Sequence, residues 1–356
     1  MPLSVGRPSL PARVSTSSVS SRQQLSEVVD DVGAGERLRG ILGKGVEVRR
    51  DVQTLKELRM LIQQDGLPIE SDDGMNTHRP YVWSILLGVP PTAWETYASL
   101  ISLGQSPSYS KIRQDTFRTL PTDPLFKRRV QESSLIRLLN AFDWTQRNER
   151  EEAGGKGDEV GYVQGMNVLA APFLYMAKSE TQAFALYSRF ITHCCPAYVK
   201  PSLEGVHRGL RLLDICLSLI DPELSSYLRS KDLTAKIYGF ASVLTLSAST
   251  PPLPEVLILW DFLLARGVHL NILCIIAQLV LIRNELLSSP SPGTLLRSFP
   301  PLQARKLIGL CFGFLHNFIR HEKELYRMLA MHTYDEEVGK EIDGLDAERW
   351  RPMAGK

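Results

Sequence analysis

Three features of the sequence predict an all-α fold. From Val163 onward apolar residues recur at helical spacing almost without a break. No alternating strand pattern persists anywhere in the chain. The interruptions are cheap, clear turns at Pro196, Pro201, Asp221-Pro222, Pro251-Pro252 and Pro290 to Gly293. No fixed repeat period appears, which disfavours a regular helical solenoid. A length of 356 residues accommodates two cores.

Residues 1–36 read as a disordered tail rich in Ser, Pro and Arg, with no acidic residue before Glu27. That composition also suits a transit peptide, but Pro2, Pro8 and Pro11 break any amphipathic helix there, so the tail reading is preferred. Asp51 to Gln64 is the first sound helix, with Leu55, Leu58, Leu61 and Ile62 on one face and Gly66 and Pro68 beyond its end. A helix from Thr77 tolerates Pro80 in its first turn and places Arg79 and Trp83 at i and i+4. There the guanidinium can lie over the indole or pair with a carboxylate beneath it. Trp83 reads as a packed anchor.

Pro91 to Leu103 is a further short helix, and Phe126 to Trp144 another, with Val130, Leu135, Leu138, Leu139 and Phe142 forming its stripe. Arg147 to Asp158 reads as a solvated loop. Its Gly154-Gly155-Lys156-Gly157 lacks the spacing of a phosphate-binding loop, and no strand precedes it. The pattern then predicts helices over 163–178, with a kink at Pro172, and over 180–194, 204–220, 222–230, 235–248, 254–266, 269–288 and 302–331. Residues 335–356 read as a flexible tail.

Composition narrows the function. Net charge is only +2, with Lys+Arg 41 against Asp+Glu 39, and no basic block stands out, which argues against nucleic acid as a partner. The five cysteines (Cys194, Cys195, Cys216, Cys274 and Cys311) are odd in number and largely placed in apolar runs, as small core residues of a cytoplasmic protein are. His193-Cys194-Cys195 has no second pair at ligand spacing, so no metal is expected. The apolar run Ile272 to Ile282 is interrupted by Gln278 and falls short of the ~20 residues a membrane span needs. No G-x-S-x-G, H-E-x-x-H, dinucleotide-binding or kinase pattern is present.

Two short stretches carry chemistry. In Ile112-Arg113-Gln114-Asp115-Thr116-Phe117-Arg118, Asp115 and Arg118 share one side of a helical turn, and Pro121 ends the element soon after. In Gly161-Tyr162-Val163-Gln164-Gly165-Met166-Asn167, a Gln lies between an aromatic residue and a Gly at the mouth of the apolar run from Val168 to Ala171. An Arg and a Gln offered from element ends suit work on a phosphoryl group held by another molecule. An Asp–Arg pair at this spacing is also a common solvated ion pair, and Gln164 could simply cap the helix that follows.

With Arg79-Pro80-Tyr81-Val82-Trp83 ahead of them, these stretches strongly resemble the TBC family of Rab-type GTPase-activating domains. The family fingerprints R-x-x-x-W, I-x-x-D-x-x-R and Y-x-Q stand in order, flanked by Leu87-Gly88-Val89-Pro90 and Leu259-Trp260-Asp261. The resemblance spans about Asp73 to Asn284 and implies a two-lobed helical domain, divided here as 45–185, carrying the catalytic residues, and 186–334. It implies that Arg118 and Gln164 act as catalytic fingers in trans on a small Ras/Rab-like GTPase. Asp115, Arg79, Tyr162, Gly165, Asn167, Ile112 and Trp83 would support them. The chain then needs no cofactor of its own, since Mg2+ and GTP belong to the GTPase. Tyr238-Gly239-Phe240 departs from a segment that is commonly Trp-rich in the family. Within the family, Leu135 to Phe142 looks most like the fungal mitotic-exit and septation checkpoint member, which implies a scaffold subunit and recruitment to the spindle pole body. The alternative is a helical adaptor that holds a GTPase without catalysis.

Overall fold

The computed structural model describes residues 33–45, 51–89, 94–155, 161–297 and 299–345, and contains helices and turns but no strand among them. The helices are α1 (33–42), α2 (Val52–Gln64), α3 (Arg79–Leu86), α4 (Trp94–Ser102), α5 (Tyr109–Thr116), α6 (Pro124–Arg129) and α7 (Glu132–Glu152). Then come α8 (Met166–Met176), α9 (Glu180–Cys194), α10 (Glu204–Ile220), α11 (Pro222–Ser230), α12 (Ala235–Tyr238), α13 (Phe240–Leu244) and α14 (Leu253–Arg266). The last are α15 (Asn271–Leu281), α16 (Arg283–Ser288), α17 (Pro292–Leu296), α18 (Ala304–Asn317), α19 (Lys323–Met331) and α20 (Glu336–Asp343).

Local chemistry sets many of the starts. Asp51, Asp123, Ser179, Asp221 and Asp335 each accept a backbone N–H from the first turn of the helix that follows. Proline occupies the opening turn of α3, α6, α11, α14 and α17, where its missing N–H costs nothing.

Helices α4, α5, α7, α8 and α9 pack on one another, α10 packs on α11, α15 and α20, and α15 packs on α18. Helix α14 joins these groups, touching α2, α3, α8 and α18. Ten of its 14 residues are buried, so it is a central helix with no water-facing stripe. Its Trp260 and Asp261 meet α3. Trp83 stacks on Trp260 with centroids 6.0 Å apart and meets Phe173 edge-on at 5.5 Å. The Trp83 indole donates to Asp261 Oδ1 at 2.7 Å, and Arg79 donates to the same carboxylate from Nε and Nη2, each at 3.0 Å. Of the two expected settings for Arg79, the structure shows the carboxylate.

Several boundaries differ from the sequence reading. The division at 185/186 falls inside α9, and a single apolar cluster runs from Leu38 to Leu345. The run 126–144 is two helices, because Val130 takes an extended conformation between them, and α7 continues to Glu152 through residues read as loop. The run 235–248 breaks at Gly239, where a Cβ would meet Leu213 at 2.7 Å, and ends at Leu244 before Leu246 and Ser247 turn left-handed. Runs 269–288 and 302–331 are likewise broken, near Ile282 and between Phe318 and Glu322. Pro172 lies within α8, which continues past it to Met176.

Both tails also change. Residues 33–36 belong to α1, whose Ala34 and Leu38 are buried, while 1–32 lie outside the described residues. Residues 336–343, read as loose tail, form α20, with Val338 and Ile342 buried and Asp343 paired with Arg208. Residues 346–356 lie outside the described residues, as do 156–160 of the Gly-rich loop.

The Trp83 environment yields a stability prediction. Trp83→Ala empties a fully buried site and unpairs one donor to Asp261, and should lower unfolding free energy by about 3–5 kcal/mol. Chemical denaturation checks this, and an unchanged midpoint would rule out the anchor role.

Candidate functional site

Helix α5 ends where the first fingerprint places its acid. Asp115 is in its last turn and 7% exposed, while Phe117 and Arg118 just beyond project into water. The chain is held through this reversal by Arg118 N–H to the Asp115 carbonyl at 3.2 Å and Thr119 N–H to the Thr116 carbonyl at 3.1 Å. Leu120 then takes a left-handed conformation (φ 42°) ahead of Pro121.

The Asp115 carboxylate divides its oxygens. Oδ1 accepts from Arg118 Nε at 3.0 Å and also from its Nη2, while Oδ2 accepts from the Tyr162 hydroxyl at 2.9 Å. The Tyr162 oxygen also lies 3.0 Å from Asn167 Oδ1, but one proton serves one acceptor at a time, and the carboxylate is the stronger. Burial first, and the Asp115 charge second, raise the Tyr162 pKa well above that of an ordinary phenol, so this group remains a donor. Asn167 Nδ2 donates to the Asp115 carbonyl at 3.2 Å and to Thr119 Oγ1 at 2.8 Å, and Thr119 Oγ1 donates to the same carbonyl at 3.0 Å. The Asp115 carbonyl at the end of α5 is thereby satisfied by the side chains of Thr119 and Asn167 as well as by the Arg118 N–H.

The second fingerprint is fastened to this cluster. Asn167 Oδ1 accepts the Gly165 N–H at 3.2 Å, and the Tyr162 N–H donates to Ser108 Oγ at the head of α5. Gly165 precedes α8 with φ 101°, and a Cβ there would lie 2.8 Å from the Leu244 side chain. Gln164 is exposed in the turn just before it. The capping residue of α8 is Gly165, and no side chain caps that end, so Gln164 does not serve as a helix cap.

The structure therefore brings Asp115, Arg118, Tyr162, Gly165 and Asn167 together. Ile112, on the inner face of α5, is fully buried and anchors the helix to the core. Arg79 and Trp83 belong to the separate Asp261 group. Thr119 and Ser108 escaped the sequence reading. A Thr directly after the fingerprint Arg, and a Ser just ahead of α5, were the available signals. Arg118 also borders a cleft of about 190 Å3 walled by Leu120, Val168, Thr250 and Val256. With the Arg118 side chain 60% exposed, its pairing with Asp115 is a weak surface contact, exchangeable for a phosphate oxygen. Among the described residues no group of three or more His, Cys, Asp or Glu side chains could hold a metal, and no helix is long and apolar enough to cross a membrane.

Residues 76–287 match the Rab-GTPase-TBC domain, and the chain belongs to this family. It is 46% identical to cell division control protein 16 of Schizosaccharomyces pombe over 87% of this chain and 98% of that protein. It is 42% identical to the mitotic check point protein BUB2 of Saccharomyces cerevisiae over 80% of this chain and 94% of that one. Its fold matches the RabGAP TBC domain from the Chlamydomonas flagellum with a TM-score of 0.64 at 19% identity, covering 82% of this chain and 95% of that one. It also matches the Ypt/Rab-GAP domain of Gyp1p with a TM-score of 0.62 at 18% identity, covering 80% and 98% of the two chains.

Gly165→Ala tests the fastening of the Gln turn. The left-handed backbone and the Leu244 contact should together cost about 1–3 kcal/mol. A lower melting temperature is expected, whereas an unaltered one would show that the turn has room to relax.

Proposed function

We propose that this chain is a GTPase-activating protein that accelerates GTP hydrolysis by a small Rab-like GTPase and so restrains mitotic exit and septation. The observation that carries this is the exposure of Arg118 and Gln164 from one buried polar cluster. During hydrolysis negative charge grows on the transferring phosphoryl and the leaving oxygen, and a water must be held in line. The Arg118 guanidinium, released from Asp115, neutralises that charge. Such a finger is worth about 10³–10⁵ in rate, roughly 4–7 kcal/mol.

Gln164 carries a donor and an acceptor, so one amide can hold the water and a phosphate oxygen together. Asp115 holds Arg118 ready, and Tyr162, Gly165 and Asn167 fix the turn that presents Gln164. The nucleotide and its Mg2+ belong to the GTPase, and no cofactor is assigned to this chain. The relatives named for cell division control and the mitotic check point support the cellular setting. On the subfamily resemblance we also propose a scaffold subunit and recruitment to the spindle pole body.

Single-turnover hydrolysis by a panel of small GTPases tests the reading. Arg118→Ala should lower the stimulated rate at least about a hundredfold while the folded protein still binds, because the finger acts in the transition state. Arg118→Lys should rescue poorly, since an ammonium lacks the planar fork. Near-full activity in Arg118→Ala would sink the assignment, and a pure adaptor would bind without accelerating at all.

Gln164 is tested from both partners. A GTPase whose own catalytic Gln is replaced by Ala should still respond to this chain, and Gln164→Ala should remove most of that response. If Gln164→Ala leaves turnover intact, the water is not held from this side. Finally, stimulation should rise when a scaffold drawn from fungal extract is titrated in. Full activity unchanged by any such partner would count against the two-component view.

A further inference from the structure

The chain between Asp115 and Thr119 shows two side chains to water, Arg118 and Phe117. Asp115, Thr116 and Thr119 are each 7% exposed or less, whereas Phe117 is 82% exposed. Isolated apolar residues on a surface are ordinary, so exposure alone decides nothing. Position does. Phe117 closes α5 in helical geometry (φ −54°, ψ −32°), and the polar cluster below fixes the backbone on its C-terminal side. Its ring is therefore presented from a held backbone.

Consecutive Cα atoms lie about 3.8 Å apart. When Arg118 reaches a γ-phosphate, the Phe117 backbone is brought close to the partner surface bordering that phosphate. In small GTPases this border is made of segments that the γ-phosphate and Mg2+ hold in order and that are released on hydrolysis. Phe117 lines an open hollow of about 720 Å3 together with Tyr109, Arg113, Gln114 and Glu132, which shares no wall residue with the cleft that Arg118 borders and leaves room for such a segment.

We propose that Phe117 is a specificity-determining contact that packs on the apolar part of the γ-phosphate-ordered segment, making docking conditional on the GTP-bound state. The proposal rests on the reading of Arg118 as the finger. Before hydrolysis the ordered segment covers the ring. Afterwards it loosens, the apolar contact is lost, and the product complex separates.

The test uses the full chain and the GTPase from a Rab-type panel whose turnover it stimulates most. Half-saturating GTPase concentration and maximal stimulated rate are measured for wild type, Phe117→Ala, Phe117→Leu and Arg118→Ala. Binding is measured in parallel to GTPase loaded with GDP or with a non-hydrolysable GTP analogue. Phe117→Ala should raise the half-saturating concentration about tenfold or more. Its maximal rate should stay within about threefold of wild type, and most of the preference for the analogue-loaded form should disappear. Phe117→Leu should recover part of both. Arg118→Ala should show the opposite split, a lost rate with retained binding.

An unchanged half-saturating concentration and state preference in Phe117→Ala overturns the proposal. If Phe117→Ala behaves as expected but Arg118→Ala keeps its rate, the docking contact stands and the finger assignment falls. A panel in which no loaded GTPase binds or responds overturns both.

Discussion

One buried carboxylate ties this molecule together. Asp261 on α14 accepts from Arg79 and Trp83 on α3, and Asp261 and Arg79 stand 182 residues apart in sequence. An ionised carboxylate in the interior is costly unless its partners replace the lost water. Burial pushes its pKa up, and the Arg79 charge, its hydrogen bonds and that of Trp83 oppose this. Removing Asp261 leaves the Arg79 Nε and Nη2 donors and the Trp83 indole N–H buried without this acceptor. Because α14 also touches α2, α8 and α18, this contact sets how the early helices meet the later ones. The aromatic stack around it supplies apolar area, and the carboxylate supplies register.

The candidate site uses the same chemistry with one side opened to water. Asp115 is buried among Tyr162, Asn167 and Thr119, but its Arg partner is largely solvated. The interior pair is consequently fixed and structural, whereas the site pair is held in readiness. Both are Asp–Arg contacts with an aromatic donor alongside. Their different work follows from how much water reaches the guanidinium.

The sequence was most legible where residue types are chemically constrained. The order of fingerprints singled out Arg118, Gln164 and Tyr162 as candidates, and periodicity found most of the longer helices. Three of the missed helix breaks share a cause. Breaks near Val130, Ile282 and Ile319 leave apolar side chains on the core, so the hydrophobic pattern runs through them unmarked by Gly or Pro. Helix α20 failed for the opposite reason. Its Val338 and Ile342 make a two-residue stripe within charged sequence, and only packing on α10 and α19 makes that stripe worth burying. Thr119 was missed because a single hydroxyl has no pattern of its own. Its role exists only once Asn167 has arrived from 48 residues away.

The polar cluster beneath Arg118 and Gln164 also couples the two stretches that present them. Asn167 and Thr119 face inward, yet Asn167 holds both the carbonyl that ends α5 and the N–H that sets the Gln turn. Arg118 and Gln164 therefore rest on one shared support. A change at Asn167 is felt at both, although its own side chain is buried beneath the surface that carries them.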